Sequence, residues 1–264
     1  MPSVGSALRD TVRANFPSAW VRWQEFKMPS NAEVEAQYLQ KLMAPTHVAV
    51  DIGANYGFYT RRLSRLCSIV HAFEPAAEMA RLLRRTSASN VIVHECALSN
   101  ATGEGSLFIP KTGRQTLFGL ATLNSQTHST TVVQKVKLDS LDSIALGPIH
   151  FIKIDVEGHE LETLDGCVTT IESNYPVFLV ETENRHKSNV VADVFLFFEK
   201  RNYVGYFIAH GRICELGHFD AKIHQDISVM DDTGARLDGS LYINNFFFFP
   251  HHLNGRKLLG AISQ

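Results

Sequence analysis

The stretch Asp51-Ile52-Gly53-Ala54-Asn55-Tyr56-Gly57 decides the fold. It follows the short apolar run His47–Asp51 and opens a segment, Gly57–Cys67, whose apolar positions recur at helical spacing. A strand that turns through glycines into a helix begins a βαβ unit, and in open α/β sheets that turn lies at the carboxyl ends of the strands, where ligands bind. Gly53 and Gly57 let the backbone turn sharply and approach a ligand closely, because neither carries a Cβ. The spacing is not G-x-G-x-x-G. Asn55 stands where a dinucleotide-binding loop has its second glycine, which argues against NAD. An acidic strand end and a small polar loop suit a zwitterionic amino-acid ligand, with its carboxylate on backbone N–H groups and its ammonium on carbonyl oxygens or Asp51. Taken alone, the seven residues also read as a turn that merely joins a strand to a helix.

Outward from this loop the same alternation continues. Strands are predicted at His47–Asp51, Ile69–Phe73, Val91–Cys96, His150–Asp155, Val177–Glu181, Tyr203–Ile208 and Tyr242–Phe249. Helical pattern fills the intervals at Gly57–Cys67, Ala76–Thr86, Glu160–Ser173 and Val190–Arg201. Such alternation specifies an α/β domain with a mostly parallel sheet covered on both faces. Between Gly103 and Leu141 the pattern changes to strand and loop, with Ser106–Pro110 and Val132–Leu138 as the extended parts and a Thr-rich middle. The Gly- and Asp-rich stretch 231–240 leads into a last strand that returns antiparallel. Its run Phe246–Phe249 reads as a strand buried on both faces rather than as an aromatic ligand box. The expected organisation is an N-terminal helical cap over residues 1–45, the sheet domain over 46–250 and a tail over 251–264.

Composition narrows the function classes. The 264 residues are 45% hydrophobic and 20% charged, which excludes disorder as the whole answer. A net charge of -2 provides no basic field for coating a nucleic acid. No apolar stretch approaches the roughly 20 residues that cross a bilayer, and Met1–Lys27 lacks the pattern of a secretory signal. Cys67, Cys96, Cys167 and Cys214 show no CxxC or His-Cys spacing, so they read as small hydrophobes in a reducing compartment. The expectation is a cytoplasmic protein with no membrane or nucleic-acid partner.

Four further segments carry chemistry. Glu74 ends the second strand about twenty residues beyond Gly53, where a carboxylate accepts hydrogen bonds from both ribose hydroxyls of an adenosine. Pro75 then stops the strand. Cys96-Ala97-Leu98-Ser99, ending the third strand, lies where an adenine ring packs, although any strand end must become polar somewhere. The segment Ile152-Lys153-Ile154-Asp155-Val156-Glu157-Gly158-His159-Glu160 ends a buried strand in a cluster of ionisable groups. Asp155 and Glu157 share a side if strand geometry persists, and crowded carboxylates either raise each other's pKa or bind a cation. Glu160 reads equally well as a charge placed at a helix N-terminus. Glu181 and Glu183 end the next strand, so Asp155, Glu157, Glu181 and Glu183 share one rim, and a divalent metal there is a secondary hypothesis. Among the 12 histidines, His159 and His186 flank this rim and are the candidate general bases, whereas His71, His94 and His150 fall within strands.

Assembled in this order, the phrases DIGANYGFYT, FEP, IKIDVEGHE and PVFLVE make residues 47–250 resemble the FkbM-type methyltransferases. The resemblance implies a Rossmann-like class I S-adenosylmethionine-dependent fold, with a seven-stranded, mostly parallel sheet, an antiparallel last strand and helices on both faces. It also implies methyl transfer to a hydroxyl oxygen, often on a sugar or polyketide-like molecule. By position, Asp51, Gly53, Ala54, Asn55, Tyr56 and Gly57 are the cofactor loop, Glu74 and Pro75 the ribose contact, and Cys96 and Ala97 the adenine surface. Asp155, Glu157 and His159 are the candidate catalytic residues. The expected partner is a small hydroxylated acceptor, with a homo-oligomer possible. Two other classes share parts of the pattern: an NAD-dependent oxidoreductase, disfavoured by Asn55, and a non-catalytic binding protein on the same fold. Residues 1–45 and 111–131 carry no family pattern, and the choice of acceptor is expected to lie there.

Overall fold

The computed structural model describes residues 11–28, 33–113, 115–124, 130–230, 237 and 240–260. The chain enters through helix α1 (Pro17–Lys27), a 3-10 turn at Val34–Tyr38 and helix α2 (Leu39–Leu42). Strand β1 (Val48–Ile52), α3 (Phe58–Leu63), β2 (Ile69–Phe73), α4 (Ala77–Thr86) and β3 (Val91–His94) form the first half of the sheet. An excursion follows through β4 (Ala97–Leu98), β5 (Gly103–Thr112), β6 (Gln115–Thr116) and β7 (Thr131–Asp139). The second half comprises β8 (Phe151–Ile154), α5 (Glu160–Asp165), α6 (Val168–Asn174), β9 (Val177–Glu181), α7 (Val190–Glu199) and β10 (Tyr203–Ala209). The chain closes with β11 (Arg212–Glu215), α8 (Ala221–His224), β12 (Asn245–Pro250) and α9 (Gly255–Gly260).

The main sheet runs β11-β10-β12-β9-β8-β1-β2-β3. The pairings β9/β8, β8/β1, β1/β2 and β2/β3 are parallel. β12 inserts antiparallel between β9 and β10. This is the expected seven-stranded core with its antiparallel last strand, extended at one edge by β11, which pairs antiparallel with β10. The predicted helix Glu160–Ser173 is two helices, broken where Gly166 closes against the Ser99 backbone. A Cβ at Gly166 would meet Ser99 O at 2.0 Å.

β12 confirms the two-faced burial expected of the phenylalanine run: all its residues are buried. Phe246 and Phe248 enter one core with Ile152, Ile154, Phe178 and Phe198. Phe247 and Phe249 enter the opposite core with Tyr38, Ala49, Phe151 and Leu179. The strand period of two sends alternate rings to opposite faces, so a polar residue at any of the four positions would sit in a core.

The excursion folds into a second sheet, β4-β7-β5-β6. β5 and β7 pair antiparallel from Gly103↔Leu138 to Pro110↔Thr131, so the region expected as strand and loop is a long hairpin arm. Part of its Thr-rich middle, and most of the 231–240 stretch, lie outside the described residues. Within the described residues, the N-terminal region forms α1, the 3-10 turn and α2 and packs against the sheet domain. Trp20 and Val21 pack with Met79, Leu82, Leu107, Ile109 and Val136, while Tyr38 and Leu39 are part of the sheet core. The C-terminal segment also docks, burying Leu259 completely. Among the described residues, no helix is long and apolar enough to cross a membrane.

Candidate active site

The carboxyl ends of β1, β2 and β8 open onto one cleft of about 560 Å³, including its mouth. The glycine loop forms one wall and needs left-handed backbone at three positions, with φ of 80° at Gly53, 48° at Asn55 and 89° at Gly57. Gly53 is a strict requirement of packing: a Cβ there would meet the Asp155 carbonyl oxygen at 1.7 Å. The loop after β1 therefore lies directly against the end of β8, bringing two segments about a hundred residues apart into one site.

Glu74 stands at the centre. Its Oε2 accepts the Asn55 N–H at 2.7 Å and its Oε1 accepts the Ala76 N–H at 2.8 Å. Burial pushes this carboxyl up to about 7, against the lowering effect of those two bonds. A carboxylate oxygen has a second lone pair beyond the one each of these bonds uses. Pro75, Cys96, Ala97 and Leu98 continue the lining on the apolar side. Cys96 and Ala97 do so from beyond β3, which ends at His94 rather than at Cys96.

The loop residues divide into two groups. Gly53 and Asn55 line the cleft, whereas Asp51, Ala54, Tyr56 and Gly57 build the loop from behind. Asp51 is 2% exposed and accepts the Thr60 hydroxyl at 2.5 Å, so its expected role toward a ligand ammonium is corrected. Burial raises its pKa, opposed by the Thr60 bond and by Lys153. Ala54 packs in a small core with Ala72 and Leu83. Tyr56 stacks edge-on with Trp20 at 6.2 Å, and a Cβ on Gly57 would meet Leu83.

At the other end of the cleft, Asp155, Glu157 and His159 all line the wall. They do not alternate as a continued strand would. β8 stops at Ile154, and Glu157 and Gly158 turn with φ of 51° and 95°. The strand geometry that side-sharing of Asp155 and Glu157 presupposes ends at Ile154, yet the turn still brings both onto the cleft, with Glu157 Oε2 2.8 Å from His186 Nε2. Burial opposes protonation of His186, but the hydrogen bond and charge of Glu157 outweigh it and raise its pKa. His159 behaves oppositely: burial lowers its pKa, only partly countered by Glu162, and its Nε2 lies 2.9 Å from Ser99 Oγ. Glu160 is 1% exposed, its Oε1 accepts the Gly158 N–H at 2.7 Å, and burial pushes it up to about 7.

The rim carboxylates Glu181 and Glu183 have other partners. Arg185 Nε reaches Glu183 Oε2 at 2.6 Å, and the Tyr242 hydroxyl donates to the same oxygen at 2.5 Å. Asn244 Nδ2 donates to Glu181 Oε1 at 2.5 Å. Among the described residues, no group of three or more His, Cys, Asp and Glu side chains is arranged to hold a metal ion. A roof closes the cleft from the arm: Phe118, Gly119, Ala121 and Leu123 face it. Thr122 Oγ1 donates to Glu157 O at 2.7 Å and Asn124 Nδ2 to Gly158 O at 2.7 Å, pinning the roof to the acidic turn. Sequence reasoning placed Ser99 only at the adenine side, not beside His159, and missed the roof contacts and the buried setting of Lys153. The one available signal was Lys153 itself, a charge inside the otherwise apolar strand Phe151–Ile154.

Several solved structures share a likeness with the chain at low identity. An FkbM methyltransferase from Methylobacillus flagellatus is 18% identical at a TM-score of 0.49, over 78% of this chain, which spans 44% of that protein's length. A putative methyltransferase from Streptococcus mutans, solved with SAH, is 10% identical at a TM-score of 0.46, over 84% of this chain and 99% of that one. The M. jannaschii protein TYW2, solved with AdoMet, is 10% identical at a TM-score of 0.43, over 85% of this chain and 78% of that one. No curated protein matches the sequence. The Methyltransferase FkbM domain matches residues 51–204, from the start of the glycine loop to the second residue of β10. That match takes in more than half of the chain and every residue of the cleft, and the chain belongs to the FkbM methyltransferase family, with the Rossmann-like class I fold that the sequence led us to expect.

Proposed function

We propose that the protein is an S-adenosylmethionine-dependent O-methyltransferase acting on a hydroxyl of a small molecule. The observation that carries the reading is the convergence of Glu74, the Gly53–Asn55 backbone and the Asp155–His159 turn on one cleft. The donor set fits the cofactor. A buried carboxylate with free lone pairs suits a ribose diol, the surface of Pro75, Cys96, Ala97 and Leu98 suits a purine, and Asp155 suits an amino-acid ammonium.

When bound, S-adenosylmethionine supplies an electrophilic methyl group on a sulfonium, whose sulfur leaves with the C–S bonding pair as the acceptor oxygen forms its bond to carbon. The chain's own groups do the rest. Asn55 and Glu74 hold the adenosine end, the roof at Phe118–Leu123 limits water, and Asp155 fixes the amino-acid end. His159, kept neutral near pH 7 by burial, takes the acceptor's hydroxyl proton at Nε2. Glu157 is less suited to that role, since His186 already faces its carboxylate. Holding the acceptor close to the methyl group supplies much of the rate. The cytoplasm, expected from cysteine usage, is the proposed compartment.

Calorimetric titration with S-adenosylhomocysteine, followed by mass spectrometry of hydroxylated acceptors incubated with S-adenosylmethionine, tests this. The expected result is binding and a mass gain of one methylene on oxygen. Nicotinamide binding in place of S-adenosylhomocysteine, or binding with no transfer to any acceptor, would overturn it.

A further inference from the structure

Beneath the cleft floor lies a cation that the methyl-transfer reading does not use. Lys153 is 0% exposed, at the centre of β8. Its Nζ donates to Asn245 Oδ1 on β12 at 3.1 Å and to Ile154 O at 3.2 Å. It lies 3.5 Å from Glu181 Oε2 on β9 and 3.9 Å from Asp155 Oδ2. The Tyr59 ring from α3 covers it at 5.1 Å, and the Tyr59 hydroxyl is bonded to Glu33 at 2.6 Å. Burying an ammonium is costly unless it is paired, and removing one partner leaves the other uncompensated. Lys153 is paired upward to the one carboxylate here that opens on the cleft: the Asp155 side chain is a third exposed, whereas that of Glu181 is half as exposed.

We propose that Lys153 is a positioning residue for Asp155, its buried ammonium anchoring that carboxylate at the cleft floor to receive the ammonium of the cofactor's amino-acid end. This deepens, and rests on, the reading of the cleft as a cofactor site. Further charged groups face the pair. Asp51 from β1, Glu33 from the N-terminal segment, Glu181 from β9 and Glu157 from the turn all surround it and are acidic. Among the strongest influences on Asp155 from the described residues, Lys153 is the one cation. Burial and the acidic neighbours push Asp155 up to about 7, and the charge of Lys153 opposes that rise.

The test has two parts. Titration of the Asp155 side-chain carboxyl by carbon NMR in ligand-free protein, assigned with Asp155→Asn, reads the lysine's effect directly. Lys153→Met is expected to move the midpoint up by roughly 1–3 units, the usual size of one close opposite charge. Calorimetry with S-adenosylhomocysteine at pH 7.5 is then expected to show at least tenfold weaker binding than the parent protein. Glu181→Gln, which removes a neighbouring negative charge and keeps the shape, moves the midpoint down and covers the case in which Lys153→Met does not fold. An unchanged midpoint in folded Lys153→Met overturns the proposal, as does an unlowered midpoint in Glu181→Gln when the lysine variant does not fold. If the parent protein fails to bind S-adenosylhomocysteine while the midpoints move as stated, the cofactor reading fails instead and the Lys153–Asp155 coupling stands.

Discussion

Glu74 and Asn55 are joined by a 2.7 Å hydrogen bond from the Asn55 backbone N–H to Glu74 Oε2. The acid at the end of β2 thus fixes the conformation of the glycine loop at the end of β1, and the left-handed φ of Asn55 holds its N–H in place. Glu74→Ala removes the acceptor for two buried N–H groups, those of Asn55 and Ala76, each worth about 1–3 kcal/mol when left unsatisfied. The variant is expected to melt at a lower temperature and to bind S-adenosylhomocysteine roughly tenfold or more weakly. Differential scanning fluorimetry and calorimetry check both, and unchanged affinity would remove Glu74 from the site.

His159 is the group whose loss should separate chemistry from binding. It lines the cleft beside Ser99 and is held neutral. His159→Gln is expected to lower turnover by roughly 10²–10⁴-fold, the usual contribution of a positioned general base, with little change in S-adenosylhomocysteine affinity. Single-turnover methyl transfer measured against pH provides the check, and a variant with full turnover would assign the base elsewhere.

Glu160 makes a prediction about stability and pH. Its folded-state pKa is raised from 4.5 to about 7, so between those values the native protein holds a proton that the unfolded chain releases. Stability from this group is therefore greatest in acid and declines as pH rises toward 7 and beyond. Glu160→Gln keeps an acceptor for the Gly158 N–H but has no charge to bury. The variant is expected to match the parent near pH 5 and to be more stable at pH 8, by up to about 3 kcal/mol. Urea unfolding at the two pH values measures the difference; a variant less stable at pH 8 would contradict the sign.

Phe248 stacks on Phe198 with ring centroids 3.9 Å apart, and both are fully buried. Phe248→Ala is expected to cost about 3–5 kcal/mol, measured by chemical denaturation. A cost near zero would mean that β12 is not the central strand described above.

Much of the site was legible because its parts are local. The sharp turn at Gly53–Gly57, the acid at the end of β2 and the ionisable cluster after β8 each announce themselves within a few residues, and periodicity placed each at a strand end. Asp51 misled for the same local reason. A carboxylate at a strand end looks exposed until α3 folds back and delivers the Thr60 hydroxyl to it. The path by which Glu157 reaches the cleft was not legible, because it runs through a turn whose positive φ at Glu157 and Gly158 the sequence only hints at.

By itself, then, the sequence determined the α/β alternation, the glycine loop, Glu74 and the doubly buried phenylalanine strand, because these follow from backbone freedom and from periods of two and 3.6 residues. Tertiary structure alone decided three things. One is the insertion of β12 between β9 and β10, which places Asn245 against Lys153. Another is the return of the β5–β7 arm, which brings Thr122 and Asn124 onto the acidic turn as a roof. The third is the set of carboxylates around one buried ammonium. Each depends on contacts between residues far apart in the chain, and the energy of a buried charge is set by what surrounds it in space rather than by its neighbours in sequence.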